Sequence, residues 1–154
     1  MYEFTVPTKE DAIYIAENLK QNNRREVLAA IGDNCLIDIL RSMEASDMLG
    51  CLKYNGKPLA IYGVIPDSIM GGTGIAWLLF TAEIVNHRRV AGRYTKRGLR
   101  AIMAKYMRVY NWVDAGNIDI IRWLKWLGAK FKGPYKRGIY GIEHYYFYFE
   151  RGGE

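Results

Sequence analysis

The chain has little of what a secreted, metal-binding or membrane-spanning protein needs. It holds two cysteines, Cys35 and Cys51, in no metal-ligand spacing, so two buried free thiols are expected rather than a disulfide. Its two histidines, His87 and His144, are too few and too scattered to suggest zinc, and no metal is expected. No run approaches the ~18 uninterrupted apolar residues of a membrane helix, and the N-terminus, with Glu3 and Lys9 to Asp11, lacks a signal-peptide core. A soluble, cytoplasmic protein with no membrane partner is expected. The sharpest local deficit is of negative charge: from Ile84 to Val113 there is no Asp or Glu, against eight lysines and arginines. That one segment carries more positive charge than the +6 the whole chain nets.

What is present suits one domain, residues 1–150, followed by a flexible tail, 151–154. Half the residues are apolar and 14% aromatic, enough for a core, and at this length folding hides roughly two-thirds of the open chain's surface.

Phe4 and Val6 alternate as in a strand, which Pro7 and Thr8 stop. Thr8 with Asp11 approximates a capping box for a helix whose stripe is Ala12, Ile13, Ala16 and Leu19. After Asn22 and Asn23, apolar residues from Val27, Leu28 and Ile31 to Met43 recur at helical spacings, interrupted at Gly32-Asp33-Asn34. One bent helix or two short ones, ending near Ser46, is expected. Leu49 to Tyr54 and Pro58 to Ile65 flank Asn55-Gly56, a strong hairpin signal because both residues tolerate positive φ. Pro66 to Gly74 reads as a loop. Ile75 to Thr81 is nearly continuously apolar and suits a strand covered on both faces.

A basic amphipathic helix three follows, with Leu99, Ile102, Met103, Tyr106, Val109 and Tyr110 on one face. Arg93, Lys96, Arg97, Arg100 and Arg108 lie on the other. Trp112-Val113 begins strand five, which makes helix three a βαβ crossover between parallel neighbours. Asn117 stands where an N-cap belongs, Ile120, Ile121, Leu124 and Leu127 give helix four its stripe, and Gly128 suits a left-handed C-terminus. Ala129 to Tyr135 and Ile142 to Phe149 then form a closing antiparallel pair. The fold class is α+β with a mixed sheet, in the order β-α-α-β-β-β-α-β-α-β-β, with strands four and five a splayed parallel pair.

That order, together with Asn117 and Gly128 eleven residues on, resembles the GNAT acetyltransferase superfamily. A closer likeness is to small GNAT-like proteins of short-tailed phages, through Trp77 to Thr81, the basic helix three, and the Asn117 to Ala129 run. The resemblance implies acetyl-CoA or CoA threaded into the crevice between the splayed strands, with pantetheine contacts at Leu79, Phe80 and Thr81. It also implies phosphates held near the start of helix three, where Arg89-Val-Ala-Gly92-Arg-Tyr94 meets two of the three positions of the family's pyrophosphate loop and departs at Tyr94. Arg88, Arg89, Gly92, Arg93 and Asn117 complete the expected cofactor-binding set. The family's tyrosine acid falls at Leu124, which has no proton to give. Tyr94, Tyr135 or Tyr140 could replace it.

Glu83 and Asp114 are the carboxylates nearest the crevice and the candidate catalytic bases, with His87 able to reach it from the loop. Each reads more readily as a surface or capping residue, and the arginines equally well as a solvated helix face. Trp123 and Trp126 are most simply core or a partner surface. Two functions compete. One is an acyl-CoA-dependent N-acyltransferase, phage-encoded by the closer likeness and then cytoplasmic in the host cell. The other is an inactive GNAT-shaped protein binding a host or virion protein partner, as an assembly factor or inhibitor. Nucleic acid is the weakest partner, because helix three does not interleave its cations with exposed aromatics.

Overall fold

The computed structural model describes residues 1–19, 35–68 and 70–152. The expected helical stretch through Val27, Leu28 and Ile31, with its break at 32–34, lies outside the described residues. The elements are β1 (Tyr2–Thr5), α1 (Lys9–Glu17), α2 (Cys35–Ala45), β2 (Met48–Tyr54), β3 (Lys57–Ser68) and β4 (Thr73–Phe80). A 3-10 turn (Ala82–His87) leads into α3 (Arg88–Lys105), β5 (Arg108–Asp114), α4 (Ile118–Leu127), β6 (Lys130–Arg137) and β7 (Ile142–Glu150).

Local chemistry places many of these boundaries. Thr8 accepts from the Asp11 amide while the Asp11 carboxylate accepts from the Thr8 amide, closing the expected capping box over α1. Lys53 adds an ion pair to Asp11 at 3.1 Å. Asn55 (φ 50°) and Gly56 (φ 80°) make the tight β2–β3 turn. Gly128 ends α4 at φ 99°, and its N–H and that of Ala129 return to the carbonyls of the last helical turn.

Helix three is shorter than its apolar spacing predicts. It stops at Lys105, and Tyr106 turns extended with its ring buried and its hydroxyl on Asp47 at 2.7 Å. The amides of Met107 and Arg108 both bond the Gly72 carbonyl, which draws the chain alongside β4. Arg108, Val109 and Tyr110 therefore belong to β5, where a period of two competes with the helical period and wins through sheet pairing. At the other end Arg151, expected in the tail, bonds the carbonyls of Met103 and Ala104 through its side chain.

The strands form one mixed sheet in the order β1-β2-β3-β4-β5-β7-β6, in which β4 and β5 alone are parallel neighbours among the described residues. Alternation along each strand sorts the side chains to two faces. Ile61, Trp77 and Leu79 turn to the layer of α1 and α2, against Ala12, Ile15 and Ile39. Val64, Val109, Val113, Phe147 and Phe149 turn to the layer of α3 and α4, against Ile102 and Leu124. Strand four is thus covered on both faces, as its unbroken apolar run predicts.

Candidate active site at the parting of two strands

Parallel pairing between β4 and β5 lasts only three residues, Thr73 to Ile75 against Arg108 to Tyr110. The expected neighbours, Ile75 to Thr81 and Trp112 to Ala115, run the same way but have already parted. Asn111 stands at the fork: its side-chain N–H donates to the Ala76 carbonyl at 2.7 Å and its Oδ1 accepts from the Trp112 amide at 2.7 Å. Nothing in the sequence marks Asn111, because its role exists only once the two strands are side by side.

Beyond the fork lies a cavity of about 400 Å³ lined from both faces of β4, by Leu78 and Phe80 on one and Trp77 and Leu79 on the other. Its walls are mostly apolar, with Leu99, Ile102, Trp123 and Leu124 from α3 and α4. Trp123 packs on Phe80 with ring centroids 4.9 Å apart. A few polar groups converge on it: Asp38, Ser42, Thr95, Asn111, Arg137 and His144. A largely apolar cleft with few polar groups is the usual form of a small-molecule site.

Strand alternation decides which backbone groups face the gap. The Thr81 amide donates to Leu59 of β3, whereas the Ala76 carbonyl points to β5 and meets Asn111. Residues 76, 78 and 80 therefore aim their N–H and C=O at the gap, and 79 and 81 aim theirs at β3. Of the three expected pantetheine contacts, only Phe80 is directed that way. Leu79 and Thr81 are spent on the sheet, and Thr81 is buried with its hydroxyl 3.3 Å from the Leu59 carbonyl. Leu78, which sequence reasoning missed, has its backbone facing the gap with no strand partner there among the described residues.

The arginines stand where expected. Arg88, Arg89 and Arg93 are exposed in the first turns of α3 and have no carboxylate partner among the described residues. Gly92 sits inside the helix rather than in a loop before it. The segment from Arg89 to Tyr94 is already helical, and Gly92 is buried where a Cβ would come within 3.3 Å of the Trp126 ring, so it sets the approach of α3 to α4. Tyr94 lines the cavity rather than filling it, because its ring stacks on Phe4 at 5.6 Å. Asn117 occupies the N-cap position of α4, almost wholly buried and without a side-chain capping bond.

The carboxylates are less well placed than their sequence positions imply. Glu83 is exposed on the 3-10 turn, bonded to Asn86 and 3.5 Å from His87, and does not line the cavity. His87 is held off by Tyr2, whose hydroxyl lies 2.7 Å from its Nδ1. Asp114 is buried at the end of β5, where its Oδ1 accepts from the Gly116 amide and shapes the turn into α4. Asp114 nonetheless sits directly across from His144 in the β5–β7 register.

His144 does line the cavity, as do Asp38 and Tyr94. Its Nδ1 lies 2.9 Å from the Ile142 carbonyl, and a carbonyl can only accept, so Nδ1 carries the proton and neutral His144 offers Nε2 as an acceptor. A histidine as the third residue of an aromatic-rich strand gives no local signal of this. The strand register alone brings it beside β5.

No known protein family matches the chain, and no curated protein matches it in sequence. Among solved structures, an N-acetyltransferase from Staphylococcus aureus Mu50 superposes with a TM-score of 0.75 at 15% identity, over 97% of this chain and 98% of that one. A putative acetyltransferase from Acinetobacter baylyi ADP1 gives 0.76 at 11% identity, covering 100% of this chain and 95% of that one. The chain has the GNAT fold. A third GNAT-fold structure, the spermidine N-acetyltransferase from Vibrio cholerae in complex with CoA and spermine, matches at 0.73 and 10% identity over 97% of this chain and 95% of that one. No group of side chains able to hold a metal occurs among the described residues, and none of their helices is long and apolar enough to cross a membrane.

Proposed function

We propose that the chain is an acyl-CoA-dependent N-acyltransferase that moves an acetyl group from acetyl-CoA to an amine. The observation that carries the proposal is the parting of β4 and β5 after Ile75, which leaves the Leu78 backbone facing an apolar cavity with no strand partner there among the described residues. A pantetheine arm, with amides along an otherwise apolar chain, fits such a slot by pairing as a third strand would. Arg88, Arg89 and Arg93 suit the phosphates, adding charge to the positive end of an 18-residue helix. CoA structures of other GNAT-fold proteins, such as the one from Vibrio cholerae, support the same donor here.

The thioester supplies an acyl carbon already activated for attack by an amine. The chain's own residues position it and handle protons. His144 Nε2 is suited to take the proton an amine sheds as it attacks. The departing thiolate needs a proton that Leu124 cannot supply. Of the three tyrosines considered from sequence, Tyr94 is the one on the cavity wall, while Tyr140 sits exposed in the β6–β7 turn. A phage origin, with the protein in the host cytoplasm, rests on the Trp77–Thr81 and Asn117–Ala129 blocks.

Titration calorimetry with acetyl-CoA and CoA tests the proposal, with saturable heat at micromolar ligand expected. Absence of heat and of any thermal shift at millimolar ligand sinks it. With binding in hand, the profile of thiol release against amine concentration should fall about 10²-fold or more in His144→Gln. An unchanged profile would remove His144 from the mechanism.

A further inference from the structure

The face of the sheet that α1 and α2 cover over β3 and β4 continues across β5, β7 and β6, where no helix of the described residues packs on it. The register sets Tyr110 and Trp112 on β5 beside Tyr148 and Tyr146 on β7, which in turn face Lys130 and Lys132 on β6. Those rings touch in series: Tyr110 to Tyr146 at 5.5 Å, Trp112 to Tyr146 at 5.3 Å and Tyr146 to Tyr148 at 5.8 Å. The surface is contiguous with the cavity, because Trp112 and Arg137 belong to both.

Its charges do not balance. Of the carboxylates on or beside this face, Glu150 pairs with Arg108 at 3.3 Å, Asp67 accepts from the Tyr110 hydroxyl at 2.6 Å and Asp114 accepts from the Gly116 amide, while Asp38 lines the adjoining cavity from α2. Lys130, Lys132 and Arg137 have no carboxylate partner among the described residues. Lys132 and Arg137 lean instead on rings, Lys132 5.7 Å from the Tyr148 centroid and Arg137 3.9 Å from that of Trp112. A ring face satisfies part of a cation's field but none of its hydrogen bonds, so the guanidinium fork of Arg137 keeps its donors for an incoming anion.

We propose that the amine acceptor is carried by an acidic peptide segment, whose Asp and Glu side chains lie on Lys130, Lys132 and Arg137 while its amine enters the cavity past Trp112. This rests on the transferase reading for the amine, and on the charge of the face for the acid. Single-stranded nucleic acid fits less well, because it needs open ring faces to stack upon. Here the face of Trp112 is taken by Arg137, and that of Tyr148 by Arg108 at 4.2 Å and by Lys132. A polyamine acceptor is disfavoured outright, since its cations would meet cations.

The test is fluorescence anisotropy with labelled peptides of about a dozen residues, each with one lysine flanked by Asp/Glu, by Ser/Asn or by Lys/Arg, plus a mixed-sequence single-stranded oligonucleotide. The acidic peptide should bind about tenfold tighter than the neutral one and lose affinity as salt rises. Lys130→Glu with Lys132→Glu, exposed positions off the cavity wall, should remove that advantage with the melting temperature unchanged, and Arg137→Glu should do so separately. Equal binding of acidic and basic peptides, an oligonucleotide that binds tighter than the acidic peptide, or a preference that survives both reversals overturns the proposal. Acetyl-CoA titration of the same proteins is read separately. Its failure in the wild type removes the transferase reading, whereas a missing charge preference with acetyl-CoA bound removes only the acidic acceptor.

Discussion

One face of the sheet is built in two ways. Over β3 and β4 it presents Ile61, Trp77 and Leu79, and α1 and α2 close over them. Over β5, β7 and β6 the same face presents Tyr110, Trp112, Tyr146 and Tyr148, half-buried and met by cations, with no helix over them among the described residues. Ile61 and Leu79 gain only by leaving water, and Trp77 joins them with its indole N–H bonded to Ser46 Oγ at 2.8 Å, so they sit where a second layer covers them. Aromatic rings with polar edges tolerate a surface on which one side stays wet. The boundary between the two regimes runs along the gap between β4 and β5, where the cavity opens. A site there has a rigid apolar wall on one side and an accessible charged surface on the other.

The comparison breaks or sharpens in a graded series. Ile61 is fully buried under α1 and α2, so Ile61→Ala should lower unfolding stability by about 3 kcal/mol in chemical denaturation. Tyr146→Ala, which removes a larger side chain from the uncovered half, should cost only about 1 to 2 kcal/mol, because water already reaches that ring. A loss as large as that of Ile61→Ala would mean the open half is as tightly packed as the covered one.

A smaller effect belongs to Tyr110. The hydrogen bond to Asp67, then burial, push its phenol up to about 12 from the ordinary tyrosine range. A raised value means the folded protein holds this proton more tightly than the unfolded chain. The stabilisation is therefore full below the ordinary tyrosine range and is lost as pH rises from there through about 12. With Asp67 exposed the contribution should stay under about 1 kcal/mol. Tyr110→Phe should flatten the alkaline limb of a stability–pH curve, and an unchanged limb would remove the Tyr110–Asp67 bond as its cause.

The smallest effect is expected on the opposite face. Gly92→Ala gains about 1 kcal/mol of helix propensity and loses a similar amount to the Trp126 ring, whose exposed side lets it yield. Stability should stay within about 0.5 kcal/mol of wild type, and acetyl-CoA affinity within about twofold. A tenfold loss of affinity would return Gly92 to a phosphate-binding role.

Much of the architecture could be read along the chain because its signals are local. Thr8 with Asp11, Asn55-Gly56 and Gly128 each mark a cap or turn through the backbone geometry of a few neighbouring residues, and the stripe of α4 follows from the helical period. The end of α3 could not be read in this way. Tyr106, Val109 and Tyr110 satisfy the helical spacing, and only the Gly72 carbonyl and the pairing with β4 turn them into a strand.

The candidate site was legible in outline and not in detail, for the same physical reason. Sequence alone determined that a parallel pair would occur, that β4 would be apolar on both faces, and that arginines would cluster at the start of α3. Tertiary structure decided that pairing stops at Ile75, that the backbones of Leu79 and Thr81 face β3 while that of Leu78 faces the gap, and that His144 rather than Glu83 reaches the cavity. Caps, turns and amphipathic stripes involve residues within a few positions of one another, so order along the chain encodes them. Strand register joins residues tens of positions apart, and a shift of one residue reverses which face every side chain meets.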